Sequence, residues 1–172
     1  MSILKKKVKI KPSDFSKVLV YVIQKKANSL VDDKNFINDL DFKEINQNKL
    51  YLELIVILSF FVTDVFSRSR YDEVVKTAIL DDIHQQLYNN ITLNNEEKFK
   101  AFIRELFDVR YEEYHECFSE NENWIREFSK LCIENICDHA PDGEIEIQYM
   151  SIYIASEYIY LPDLFSSYKL IL

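Results

Sequence analysis

The sequence predicts an all-α protein, a single domain of about six helices packed around one central buried helix. Three observations carry this. The 172 residues include one Gly and three Pro, too few turn formers for an all-β fold, which needs them every 8–12 positions or so. The stretch Leu50–Phe66 is apolar around nearly the whole helical wheel, as expected of a helix covered by its neighbours. The segments on either side space their apolar residues at i, i+3, i+4 and i+7, the stripe of amphipathic helices. This length suits one domain with one core.

The elements follow in order. Residues 1–12 form a basic arm in which Val8 and Ile10 alternate with Lys7, Lys9 and Lys11. That is the pattern of a short edge strand guarded by charge. Pro12-Ser13-Asp14 opens the first helix with Ser13 as its cap, and Phe15, Leu19, Val22 and Ile23 carry it to about Ala27. Phe36, Ile37 and Leu40 mark a single turn. Asp41 and Glu44 are spaced as a capping box ahead of the central helix.

Ser67-Arg68-Ser69-Arg70 interrupts the pattern. A third helix runs from about Tyr71 to Tyr88 with Val75, Ile79, Ile83 and Leu87 in its stripe, and Asn89-Asn90 closes it. Thr92 or Asn94 caps the fourth, whose inner face reads Phe99, Phe102, Ile103, Leu106, Tyr111, Tyr114 and Phe118. Asn121 opens the fifth, with Trp124, Phe128, Leu131, Cys132 and Ile136 inward. Pro141-Asp142-Gly143 is a turn. Glu144 to Leu161 alternates like a strand at its start but keeps helical spacing through Ile147, Met150, Ile154 and Tyr158, so helix is expected, with Pro162 as its stop. The tail 163–172 is apolar at Tyr168–Leu172 and should dock, beside the basic arm.

Several function classes are excluded by composition. A lone glycine leaves no glycine-rich phosphate loop of either the Walker or the dinucleotide type. Glu53 and Asp64 bracket the central apolar run, so its uncharged part falls short of the 18 or so residues of a membrane span. The early lysines are followed by no apolar signal core, so no secretory signal is expected. Cys117, Cys132 and Cys137 are an odd number without Cys-x-x-Cys spacing. They are expected to be reduced thiols in a cytoplasmic protein. The formal net charge is −8, but five lysines lie in residues 1–11, so the remaining 16 basic and 29 acidic residues give a body of about −13. Such a body is repelled by nucleic acid and drawn to basic partners.

Asp81-Asp-Ile-His84 and Glu112-Glu-Tyr-His115 each place a carboxylate and an imidazole one turn apart. Helical di-iron proteins use such pairs together with further carboxylates, which Glu53 or Asp64 would have to supply. The phasing is poor. His84 lies beside its helix's apolar stripe, and His115 follows the inward Tyr114, so no metal or other cofactor is expected. Cys132 or Cys137 with His139 is a conceivable nucleophile–base pair, but no strained turn or oxyanion hole accompanies it. Tyr149, Tyr153, Tyr158 and Tyr160 are the residue type of interface cores. The acidic residues concentrate in two runs. One holds Glu112, Glu113, Glu116, Glu120 and Glu122; the other holds Asp138, Asp142, Glu144 and Glu146. These nine are the expected partner-binding residues.

In size, acidity, helical content, reduced cysteines and lack of catalytic motif, the chain resembles an immunity protein of a bacterial contact-dependent inhibition or related polymorphic-toxin system. Its preference for Lys, Asn and Ile over Arg and Ala fits an AT-rich locus. That resemblance implies a non-enzymatic cytoplasmic protein. It would block one cognate toxin, often a cationic nuclease, with acidic side chains, and would contact neither nucleic acid nor membrane. A helical carboxylate-bridged metal protein or small regulatory enzyme is the alternative.

Overall fold

The structure is a computed structural model. It describes residues 7–91, 97–120, 123–141 and 143–171, and the side chains of these except at 97–98 and 119–120. The order is β1 (Val8–Ile10), α1 (Pro12–Val31), α2 (Lys34–Asp39), a 3₁₀ turn (Phe42–Glu44), α3 (Gln47–Ser67), α4 (Glu73–Ile91), α5 (Glu97–Glu120), α6 (Trp124–Cys137), α7 (Glu144–Ser166) and β2 (Tyr168–Leu170). The all-α bundle is as the sequence predicts.

The central helix is α3. Thirteen positions from Leu50 to Phe66 are buried on all of its sides, against α1, α4, α5, α6 and α7. By length and composition alone α3 would cross a membrane, yet it is enclosed by the other helices and carries two buried carboxylates. Glu53 receives two hydrogen bonds from the Arg110 guanidinium of α5, at 3.2 and 3.1 Å. Asp64 receives one from Arg68 at 2.7 Å and one from the Tyr158 hydroxyl of α7 at 2.6 Å. A buried carboxylate is tolerated only when so paired, and each pair ties the rod to a specific neighbour or turn. The end of α3 is closed by Lys76, whose ammonium donates to the carbonyls of Ser67 and Ser69 at 2.7 and 3.5 Å.

The apolar stripes fall mostly where periodicity places them. Ile79, Ile83 and Leu87 of α4 are buried, as are Phe128, Cys132 and Ile136 of α6 and Ile147, Met150 and Ile154 of α7. The stretch after Gly143 is helix, capped by the Glu146 carboxylate accepting from the Gly143 N–H at 2.9 Å. The tail docks beside the arm. The strands β1 and β2 pair in parallel, with Val8 opposite Tyr168 and Ile10 opposite Leu170.

Helix ends account for most of the differences. The first helix begins at Pro12 with Lys11 as the flanking residue, so Ser13 lies inside it and caps nothing; it also continues to Val31. Proline fits a first turn, where its missing N–H is no loss. The residues after it form α2, capped by Asp33, whose carboxylate accepts from Asn35 N–H at 2.8 Å. Asp41 is no cap: it sits in the left-handed region at φ 52°, a turn that lets Phe42 pack edge-on against Phe36 at 5.6 Å. Asn46 caps α3 instead, accepting from the N–H groups of Asn48 and Lys49. The helix α4 starts at Glu73, with Asp72 accepting from Val74 N–H, and runs through Asn89-Asn90 to Ile91.

Phe99 and Phe102, expected inside, are exposed and stack on each other with centroids 6.2 Å apart. Pro162 does not stop α7, which continues to Ser166. An interior proline costs about 3 kcal/mol. Burial of Leu161 and of Phe165, whose ring lies 5.6 Å from Phe66 and 6.0 Å from Phe15, opposes that cost. The expected caps at Thr92, Asn94 and Asn121 lie outside the described residues.

Candidate functional site

The two long helices α5 and α6 are antiparallel neighbours joined by a short connection, and each turns one polar row toward the other. On α5 the row is Glu113, Glu116 and Cys117, at i, i+3 and i+4; on α6 it is Glu127, Lys130 and Glu134, at i, i+3 and i+7. Between them lies a cleft of about 290 Å³. Four carboxylates and one ammonium line it.

The deep side of this cleft is built from the core outward. Arg110, held by Glu53, donates a third bond to Glu113 at 3.1 Å. The buried Asn135 amide donates to the same Glu113 oxygen at 3.2 Å. The guanidinium is therefore shared by two carboxylates, and the trio keeps a net negative charge. Burial pushes the Glu53 carboxyl up and outweighs the opposing pull of Arg110. Further out, Glu127 pairs with Arg126 at 2.8 Å, and Lys130 reaches Glu134 at 3.9 Å.

The Cys117 thiol reports the field inside the cleft. Its pKa is raised first by burial and then by the carboxylates of Glu127, Glu116 and Glu113. A thiol so placed stays protonated and is a poor nucleophile. The fully buried Cys132 is raised further, again by burial first, beside Tyr114.

Of the first acidic run, Glu113 and Glu116 line the cleft, while Glu112 is exposed outside it. The side chains of Glu120 and Glu122 lie outside the described residues. Glu127 and Glu134, not singled out in the sequence, complete the acidic lining; their i, i+7 spacing was the available signal. The second run is used differently. Asp138 ends α6 in the left-handed conformation, φ 62°, and pairs with Lys49 of α3 at 2.5 Å, which holds its carboxyl below the usual range. Glu144 pairs with Arg126, Glu146 caps α7, and Asp142 lies outside the described residues.

Glu146 also borders a smaller recess of about 220 Å³ with Asp41, Glu44, Cys137, His139 and Pro141. This brings Cys137 and His139 to one place, whereas Cys132 is on the opposite, buried face of α6. The His139 Nδ1–H donates to the Ala140 carbonyl at 2.8 Å.

The two carboxylate–imidazole pairs do not share a centre. His84 borders a third recess, between α4 and α5, with Asp81, Tyr88, Phe107, Asp108 and Tyr111. Its Nε2 and the Tyr111 hydroxyl form a hydrogen bond of 2.9 Å. Burial holds this imidazole below its usual pKa. His115 is exposed and lies with its ring 5.0 Å from that of Phe60. Among the described residues no three His, Cys, Asp or Glu side chains converge on a point that would hold a metal ion. Of the four tyrosines of α7, Tyr153 packs on Phe36 and Tyr158 bonds Asp64, while Tyr149 and Tyr160 are exposed. Compared with known protein families, curated proteins and solved structures, the chain finds no match.

Proposed function

We propose that the protein is a non-catalytic acidic binding protein that takes up a basic protein on the α5–α6 cleft. Most concretely, it is an immunity protein that neutralises a cationic nuclease toxin in the bacterial cytoplasm. The observation that carries this reading is that Glu113, Glu116, Glu127 and Glu134 line one recess, anchored to the core through Arg110. A nuclease presents positive charge where phosphates bind. Carboxylates set in a rigid cleft can stand in for those phosphates, steer the encounter and occlude the site.

The experiment is co-expression with the variable C-terminal domain of a large secreted protein encoded beside it. Rescue of the host, and a complex that survives purification, is the expected result. Association should slow markedly from low to physiological ionic strength while dissociation changes less. A neighbouring gene set devoted to metabolism, with no toxin domain bound, would overturn the reading.

A further inference from the structure

Helix α7 carries a second apolar row on the face turned away from the core. Ile145 is 68% exposed, Tyr149 39%, Ile152 63%, Ile159 71% and Tyr160 54%. Together with Ser156 and Asp163, the first four follow a 4-3-4-3-4 spacing, the spacing of a helix seam that packs against another helix. An isolated exposed isoleucine means little, but a continuous row on one helix face is a docking surface.

We propose that this face pairs α7 with α7 of a second copy of the chain, antiparallel, about a two-fold axis near Ile152. Three features select this occupant. The first is area: with ordinary side-chain sizes the five residues expose roughly 600 Å², so a pair buries up to about 1,200 Å², the lower end of stable interfaces. The second is charge. In a chain of net charge −8, no charged side chain lies on the seam between Glu144 and Asp163, so two acidic molecules meet there without repulsion. A basic partner would find nothing to pair with. Glu157, on the same helix, turns aside to bond Lys26 at 2.7 Å.

The third is symmetry. Ile152 lies midway between Ile145 and Ile159, seven residues from each. A two-fold axis there sets Ile145 against the second copy's Ile159 and closes the assembly at two. The antiparallel sense also opposes the helix dipoles and keeps the acidic first turn, Glu144 and Glu146, away from its own copy.

Sedimentation equilibrium of the full chain over a wide concentration range tests this without any toxin partner, so its outcome is separate from that of the proposed function. The expected result is a concentration-dependent dimer. Ile152→Glu with Ile159→Glu should weaken it at least a hundredfold and leave the helical circular dichroism intact; the milder Ile152→Gln with Ile159→Gln should act in the same direction. Val74→Glu, at another exposed apolar site on α4, should leave the dimer unchanged. A monomer at every concentration, a dimer that survives both α7 variants, or equal loss in Val74→Glu would overturn the proposal.

Discussion

The two acidic runs look alike in the sequence and are put to opposite uses by the fold. Around the α6–α7 corner the carboxylates are spent on the molecule itself: Asp138 ties the end of α6 to Lys49, Glu144 holds Arg126, and Glu146 caps α7. Along α5 and α6 four carboxylates line one open cleft, and one of them is propped from beneath by Arg110 and Asn135. Whether acids close a corner or line a cleft is thus set by which elements the fold brings together, which the count of acids along the chain does not show.

Removing the prop should have the largest effect. Arg110→Ala leaves Glu53 buried without its partner and is expected to cost about 3–5 kcal/mol, as for other broken buried ion pairs, read from the midpoint of a urea melt. Loss below about 1 kcal/mol would mean that Glu53 is protonated in the fold. The sign is consistent with that sensitivity. Burial raises the Glu53 pKa in the fold, so its contribution favours the fold at acid pH and diminishes as pH rises through the folded value. Lowering the pH toward the ordinary carboxylate range should therefore soften the Arg110→Ala defect, because the orphaned carboxyl then takes up a proton.

The next effect separates the two regions directly. Glu113→Lys, Glu116→Lys and Glu127→Lys together should weaken binding of the cognate basic domain by tenfold or more. Glu144→Lys with Glu146→Lys should change it by less than about threefold, since those charges are already satisfied. Titration calorimetry at fixed salt reads both, and equal losses would erase the distinction.

A smaller effect tests the corner. Asp41 borders its recess in a left-handed turn without a capping bond. Asp41→Gly should therefore stabilise the protein by up to about 1 kcal/mol, the usual cost of that conformation for a side chain. A capping residue would give the opposite sign. The smallest effect is local. Because Glu127 and Glu116 raise the Cys117 pKa, Glu116→Gln with Glu127→Gln should lower it and speed alkylation of that thiol by iodoacetamide a few-fold at pH 8, where the thiolate is the reacting form. An unchanged rate would show that the cleft field does not reach the sulfur.

The sequence made the rod and its stripes legible because burial imposes a period, and the period is printed along the chain. Ile79, Ile83 and Leu87 needed no tertiary knowledge. Caps were harder. Whether Asp41 or Asn46 closes α3 depends on the φ angle at a single residue, fixed by where Phe42 finds a pocket against Phe36. Pro162 looked like a stop because the interior penalty is local, whereas the burial of Phe165 that offsets it is contributed by α1 and α3. The cleft was half visible. Glu113 and Glu116 stand out as part of a run, but Glu127 and Glu134 are single acids among apolar and basic neighbours until α6 lies against α5. The seam of α7 was partly disguised, because its inward residues Ile147, Met150 and Ile154 already accounted for the helical period.

The parallel pair of β1 and β2 joins residues 8–10 to residues 168–170. A polypeptide emerges from the ribosome at about 5–20 residues per second. The first strand therefore waits some ten to thirty seconds before its partner in the structure has been made. Meanwhile it is a short run with open backbone donors and acceptors, the kind of segment that recruits strangers. Lys7, Lys9 and Lys11 around Val8 and Ile10 put like charge along that open edge for the whole interval, the arrangement that disfavours pairing with another chain.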